Sequence, residues 1–303
     1  MKTIIVICGP TASGKTDVAI KLAKKINGEI ISCDSRQIYK YMDIGTNKPS
    51  KKQLKMVPHY LISILKLTEN FTTGDFVRLA NKKIREIFRQ KKTPIMVCGT
   101  GLYIKALIDG LIKIPSNKGL RKKLNNELKK YGIVYLYKKL KKLDYETAKI
   151  IDRKNPIRII RALEICLITG KKFSQLKKET KKSKYNFLIF GLLSSKNSLY
   201  KKINIRVDKM IKKGLVEETA KLVKKYSSEN CILQNTIGYG ELVEFLNGKL
   251  SKKEATNLIK QNTRHYAKRQ LTWFNKDSRI VWVNSKNDQS KKILNYLRKS
   301  DII

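Results

Sequence analysis

Gly9-Pro10-Thr11-Ala12-Ser13-Gly14-Lys15-Thr16 has the spacing G-x-x-x-x-G-K-[ST], the pattern of a backbone loop that wraps a phosphate. The glycines let consecutive N–H groups converge on an anion, and a helix beginning there adds the positive end of its dipole. Lys15 contributes a point charge, and the Thr16 hydroxyl stands where Mg²⁺ is ligated beside a phosphate. Cys33-Asp34-Ser35-Arg36-Gln37 offers a carboxylate; Cys98-Gly99-Thr100-Gly101 offers a hydroxyl and no carboxylate. A nucleotide hydrolase places an Asp at the end of a further strand to hold Mg²⁺. With none after Cys98, the pattern supports phosphate binding without yet supporting nucleotide chemistry. Asp34 has a second reading as an Asx-turn or helix cap, and Thr100 as a plain turn residue.

These groups need elements to position them. Ile4 to Cys8 is a short, continuous apolar run of the kind buried on both faces of a parallel sheet. The apolar stripe Val18, Ala19, Leu22, Ala23 and Ile26 predicts a helix over 16–27, stopped at Gly28. Ile30 to Cys33 reads as a second strand. A helix over 75–90 carries Phe76, Leu79, Ala80, Ile84, Ile87 and Phe88, and Ile95 to Cys98 follows Pro94 as a third strand. Strands alternating with helices predict an α/β fold with a mainly parallel sheet. Strand ends then border the ligand crevice, so Asp34 and Thr100 should face the phosphate loop. Residues 118–180 carry helical stripes (Leu120, Leu124, Leu128; Ile157, Ile160, Leu163, Leu167) and no clear strand. Strand character returns at Phe187 to Leu192 and Arg279 to Val283. The expected organisation is a core over 1–113, a helical insertion over 114–185, and core completion over 186–303.

The 303 residues carry 67 Lys plus Arg against 24 Asp plus Glu, a net charge of +43, and are 41% hydrophobic. That apolar content excludes a disordered basic tail. No apolar run approaches the roughly 20 residues of a membrane span. The apolar start is too short for a signal peptide and runs directly into the phosphate loop. Five scattered cysteines, Cys8, Cys33, Cys98, Cys166 and Cys231, indicate neither a disulfide framework nor a zinc site, and point to a reducing cytoplasm. His59 and His265 form no metal-binding set and read as structural or surface residues. The charge suggests a polyanionic partner such as nucleic acid. An AT-biased genome produces the same Lys excess, so charge alone does not decide function.

An ordered series along nearly the whole chain resembles the tRNA dimethylallyltransferase (isopentenyl-tRNA transferase) family. After Gly9 to Thr16 come Asp34-Ser35-Arg36-Gln37-Ile38-Tyr39, Met42-Asp43-Ile44-Gly45-Thr46, and Gly99-Thr100-Gly101-Leu102-Tyr103. Arg158-Ile159-Ile160-Arg161-Ala162-Leu163-Glu164 follows. Arg206-Val207-Asp208, Ile237-Gly238-Tyr239, Ala267-Lys268-Arg269-Gln270 and Thr272-Trp273-Phe274 close the series. Four positions depart from the family pattern: Cys98 in place of Gly, Tyr145 where Asp-Pro is expected, Gly240 in place of a basic residue, and Asn275 in place of Arg.

The resemblance implies a P-loop NTPase-like core with an inserted helical, tRNA-binding domain. It also implies transfer of a dimethylallyl group from dimethylallyl diphosphate to N6 of the adenosine at position 37, 3′-adjacent to the tRNA anticodon, with Mg²⁺ as cofactor. Gly9, Pro10, Thr11, Ala12, Ser13, Gly14, Lys15 and Thr16 would hold the donor's diphosphate, with Thr16 on the metal and Arg206 as a further contact. Asp34 would accept the N6 proton, and Thr100 would fix the geometry nearby. The tRNA side would comprise Asp34, Ser35, Arg36, Gln37, Thr100, Ile157, Arg158, Ile159, Ile160, Arg161, Asn235, Thr236, Ile237, Gly238, Tyr239 and Gly240. Leu102 to Leu107 is either channel lining or core. The expected protein is a cytoplasmic monomer, away from membranes. The alternatives are a P-loop kinase of a nucleoside or other small molecule, a prenyltransferase of free adenine nucleotides, and a non-catalytic RNA-binding protein with a relic loop.

Overall fold

The computed structural model describes residues 2–112, 114, 117–284 and 288–300. Among these residues six strands form one all-parallel sheet: β1 (Thr3–Cys8), β2 (Gly28–Cys33), β3 (His59–Tyr60), β4 (Thr93–Cys98), β5 (Asn186–Leu193) and β6 (Ile280–Asn284). Their order is β3-β2-β4-β1-β5-β6. The phosphate-loop strand β1 therefore lies between β4 and β5, with Cys8 opposite Cys98 and Gly191. This is the P-loop NTPase-like α/β core expected from the motif and the alternating elements.

One sheet face carries Ile5, Ile7, Ile30, Ile95, Phe190 and Leu192 into a core closed by helices Lys15–Lys25 and Gln289–Lys299. Helix Thr73–Arg89 buries Phe76, Ala80, Ile84 and Ile87 and starts with a capping box between Thr72 and Asp75. That pairing satisfies two otherwise orphaned backbone donors. The two-residue β3 escapes any periodicity reading; it pairs with Ile30 and Ile31 at the sheet edge. Pro94 lies inside β4 as its second residue, near a strand start where a missing N–H is tolerated.

The chain divides into two compact units, Met1–Ala106 with Lys184–Ile303, and Leu107–Ser183. Within the second unit, Leu124, Leu136, Leu140, Ala148, Ile159, Ile160 and Leu163 form a core of their own. The fully buried Glu164 accepts from Asn117 N–H, Arg121 Nε and Arg161 Nη1. Asp144, also fully buried, caps helix Tyr145–Ile150 through Thr147 N–H and accepts both the N–H and the hydroxyl of Ser174. The cap is intact, and Tyr145 occupies the first helical position. Among the described residues no helix is long and apolar enough to cross a membrane, and all five cysteines are free.

Candidate active site

The turns after β1, β2 and β4 open on one cleft of about 590 Å³ within the sheet-containing unit. Thr11, Ala12, Gly14, Lys15 and Thr16 form one wall, and Asp34 to Gln37 another. Gly45 to Asn47, Arg206, Asn235 to Gly238, Tyr266, Arg269 and Gln270 complete it. Gly9, at φ +138°, turns the chain out of the sheet where a Cβ would stand 2.9 Å from the Leu192 carbonyl oxygen. Only glycine adopts that backbone without strain.

The loop is held in shape by its own groups. Lys15 Nζ donates to the carbonyls of Gly9 and Pro10 at 3.0 and 2.8 Å. Arg206 reaches across from helix Lys196–Lys212 and donates to Thr11 Oγ1 at 3.1 Å, so it belongs to the site rather than to an exposed helix face. Burial first, and the Arg206 charge second, hold Lys15 down to about 8. Burial likewise lowers Arg206 to about 10, against the pull of Asp34. Two crowded, desolvated cations at the head of a helix favour a multiply charged anion. The Ser13 hydroxyl is buried without a hydrogen-bond partner, so this loop has a polar atom that a bound phosphate oxygen would satisfy.

Asp34 makes the Asx-type turn read from its sequence position, and it also lines the cleft. Its Oδ1 accepts the N–H groups of Arg36 and Gln37 at 2.8 and 3.2 Å, an Asx-type turn that shapes the segment. Its Oδ2 points toward Gly99, where a Cβ would stand 3.1 Å away. Thr100 Oγ1 accepts Ser35 N–H at 3.2 Å, tying the β4 turn to the Asp34 segment. Arg36 donates to the Asn235 carbonyl, and Gln37 Nε2 donates to the carbonyls of Thr46 and Asn47. Leu102 is exposed, whereas Tyr103 and Ile104 are buried, Tyr103 stacking on Phe76; none of these three lines the cleft. Tyr103 and Ile104 are core; Leu102 is not.

Several residues assigned to a tRNA surface from sequence are structural in their side chains. Tyr239 is fully buried; its hydroxyl donates to Glu218 at 2.6 Å and accepts Gly45 N–H. Ile159 and Ile160 sit in the helical unit's own core, while Ile157 and Arg158 are exposed. Arg161 is engaged with Glu164 and the Ile114 carbonyl. At Gly240 a Cβ would meet the Gln234 carbonyl oxygen at 2.3 Å, so the backbone here excludes the basic residue usual at this position. Cys98 is buried between Cys8 and Cys33 in register.

Two organising roles were not foreseen, although Gln270 stands in the Ala267-Lys268-Arg269-Gln270 motif. Glu218 accepts the backbone N–H groups of Asp43, Ile44 and Gly45, fixing the loop that supplies Gly45 to Asn47. Gln270 bridges the phosphate loop and the end of β4. Both act across more than 170 residues of sequence, beyond any local pattern.

The family model described as IPP transferase matches residues 37–277. A tRNA dimethylallyltransferase of Halothermothrix orenii is 44% identical over 301 residues, covering 98% of this chain and 92% of the relative. Among solved structures, a tRNA delta(2)-isopentenylpyrophosphate transferase from Staphylococcus epidermidis is 38% identical with a TM-score of 0.72, over 99% of this chain and 100% of that one. A eukaryotic dimethylallyltransferase described as acting on tRNA is 29% identical with a TM-score of 0.84, over 99% of this chain and 80% of that one. The chain belongs to the IPP transferase family.

Proposed function

We propose that the chain transfers a dimethylallyl group from dimethylallyl diphosphate to N6 of the adenosine at position 37, 3′-adjacent to the tRNA anticodon, releasing diphosphate. One juxtaposition carries this reading: a cationic phosphate loop and the Asp34 carboxylate wall the same cleft, with no carboxylate in the Cys98-Gly99-Thr100-Gly101 turn after β4. Loop N–H groups, Lys15 and Arg206 are aimed at a charge that grows as the allylic C–O bond breaks. Preorganised donors of this kind are typically worth about 3 to 4 kcal/mol each. N6 attacks the allylic carbon as diphosphate leaves, and its proton passes to Asp34 Oδ2. Among the described residues no three His, Cys, Asp or Glu side chains cluster for a metal. Thr16 lines the cleft directly after Lys15, and a hydroxyl oxygen suits Mg²⁺, which takes most of its oxygens from substrate and water. The Thr16 hydroxyl would hold it, and it would neutralise charge on the leaving group.

An adenine inside a stacked anticodon loop must be drawn out to present N6, so the cleft would receive one splayed base. Ser35 to Gln37 and Asn235 to Gly238 would then flank it. The helical unit, through Arg158 and its many lysines, would hold RNA backbone. A cytoplasmic, monomeric enzyme completes this reading. Purified protein is incubated with dimethylallyl diphosphate, Mg²⁺ and unmodified tRNA, and the RNA is digested and weighed by mass spectrometry. Prenylated adenosine is the expected product. Its absence with folded protein and a tRNA bearing adenosine 3′ to the anticodon would sink the reading, and ATP-dependent phosphorylation of a small acceptor would favour the kinase.

A further inference from the structure

Gln270 lies in helix Lys252–Phe274, only 6% exposed, and takes no part in the bond changes above. Both ends of its carboxamide are used. Oε1 accepts Thr11 N–H at 2.8 Å, and Nε2 donates to the Gly99 carbonyl at 2.8 Å. Thr11 belongs to the phosphate loop, and its hydroxyl is held by Arg206. Gly99 opens the turn leading to Thr100, whose hydroxyl holds the Ser35 N–H beside Asp34. The Cβ that Gly99 lacks would stand 3.1 Å from Asp34 Oδ2 and 3.5 Å from Gln270 Nε2. A single side chain therefore spans the cationic wall and the wall that carries the carboxylate.

The chemistry of the two arms is selective. One requires an acceptor and the other a donor at fixed separation, which a primary amide supplies and an ionised carboxylate does not. With either arm lost, a backbone group in the site is left without its partner. The bridge also withdraws the Thr11 N–H from anion binding, so this part of the loop is committed to geometry rather than to charge.

We propose that Gln270 is a positioning residue that sets the separation between the donor's diphosphate and Asp34, and thereby directs the ionising allyl group to N6 rather than to water. The proposal rests on the prenyl-transfer reading above. An acceptor misplaced by about 1 Å can lose about 100-fold in rate, and an activated donor that misses its amine is open to hydrolysis.

The test compares wild type with Gln270→Met, which keeps the length and removes both arms, and Gln270→Glu, which keeps the Thr11 arm alone. Folding is checked by thermal unfolding; kcat, KM for tRNA and for donor, and the ratio of prenylated tRNA to free dimethylallyl alcohol are then measured. In Gln270→Met, kcat should fall about 100-fold, with both KM values within about threefold of wild type and a larger share of donor lost to alcohol. Wild-type kcat and product ratio in the folded variant would overturn the proposal. So would a loss confined to donor KM, which would mean that Gln270 only shapes the loop for binding. Should Gln270→Met fail to fold, the same measurements on Gln270→Glu decide. A wild-type protein that makes no prenylated tRNA would overturn the function itself, and is seen before any variant is made.

Discussion

Asp34→Asn separates the two roles of Asp34. The Asn Oδ1 can still accept the Arg36 and Gln37 N–H groups, now held at 2.8 and 3.2 Å, and Asn is well suited to such a turn. Two charge-assisted bonds become neutral ones, a difference of about 1 kcal/mol each, so the variant should fold with a loss of about 2 kcal/mol. Asp34→Ala removes both acceptors and should be less stable again by about 1 kcal/mol, the usual cost of losing a cap. Catalysis should not follow that order. Neither variant has a base at the Oδ2 position, so both should lose about 10²- to 10⁴-fold in single-turnover transfer at saturating donor, about 3 to 5 kcal/mol of barrier. Diphosphate binding should be no weaker in Asp34→Asn, because the change removes a negative charge near Lys15 and Arg206. Rapid-quench prenylation with titration calorimetry of inorganic diphosphate measures both quantities. An Asp34→Asn enzyme within threefold of wild type, beside an inactive Asp34→Ala, would mean that Asp34 acts through its turn alone.

Lys15 gives a pH signature. Held down to about 8 by burial and Arg206, it is neutral in the free protein above that pH and charged below it. Bound diphosphate restores the charge, so diphosphate affinity should fall by up to about tenfold per unit above pH 8, with proton uptake on binding; calorimetry at pH 9 in two buffers of different ionisation enthalpy that finds no uptake refutes this. The sign for stability is the reverse: between about 8 and the ordinary 10.5 the unfolded chain binds more protons, so the Lys15 contribution rises with pH. In the helical unit, Arg158→Ala should leave the melting temperature unchanged and reduce the slope of log tRNA affinity against log salt by about one. Arg161→Ala should instead destabilise by about 1 to 3 kcal/mol, because the buried Glu164 loses its 2.6 Å partner; equal melting temperatures for the two variants would contradict the assignment. Glu218→Gln replaces an acceptor that now gathers Asp43, Ile44 and Gly45 N–H groups and should cost about 1 to 3 kcal/mol in denaturant unfolding, an unchanged midpoint being the contrary result.

Sequence carried those parts of the fold in which neighbouring residues share a task. The β1 run, the loop of Gly9 to Thr16 and the stripe of Val18, Ala19, Leu22 and Ala23 are local, and each reads out as an element with its ends displaced by a residue or two. Asp34 was legible for a related reason: it ends a buried run. What remained hidden depends on distance along the chain. Gln270 and Thr11 are 259 residues apart, and nothing in the polarity of a glutamine on an amphipathic helix marks it as buried. The resemblance puts Tyr239 on the tRNA side, and only its link to Glu218 shows why a phenol is buried there. The resemblance gives Arg161 the same tRNA role as Arg158, and a motif says nothing of the carboxylate already waiting beside it.

The charge separates along the same line of burial. Lys15 and Arg206 are half-buried and lowered by loss of hydration, so they are set to discriminate for a charged group placed in the cleft. An exposed lysine keeps its water and attracts any polyanion at long range, with a strength that salt removes. Lys48 shows that burial need not mean ligand: its side chain is 6% exposed, yet it is already paired with Asp43 and donates to the Tyr39 carbonyl, so it stabilises the loop below the cleft. The net charge of +43 therefore speaks to how readily RNA would approach. Which atom reacts would depend instead on a few side chains that line the cleft, Lys15, Arg206 and Asp34.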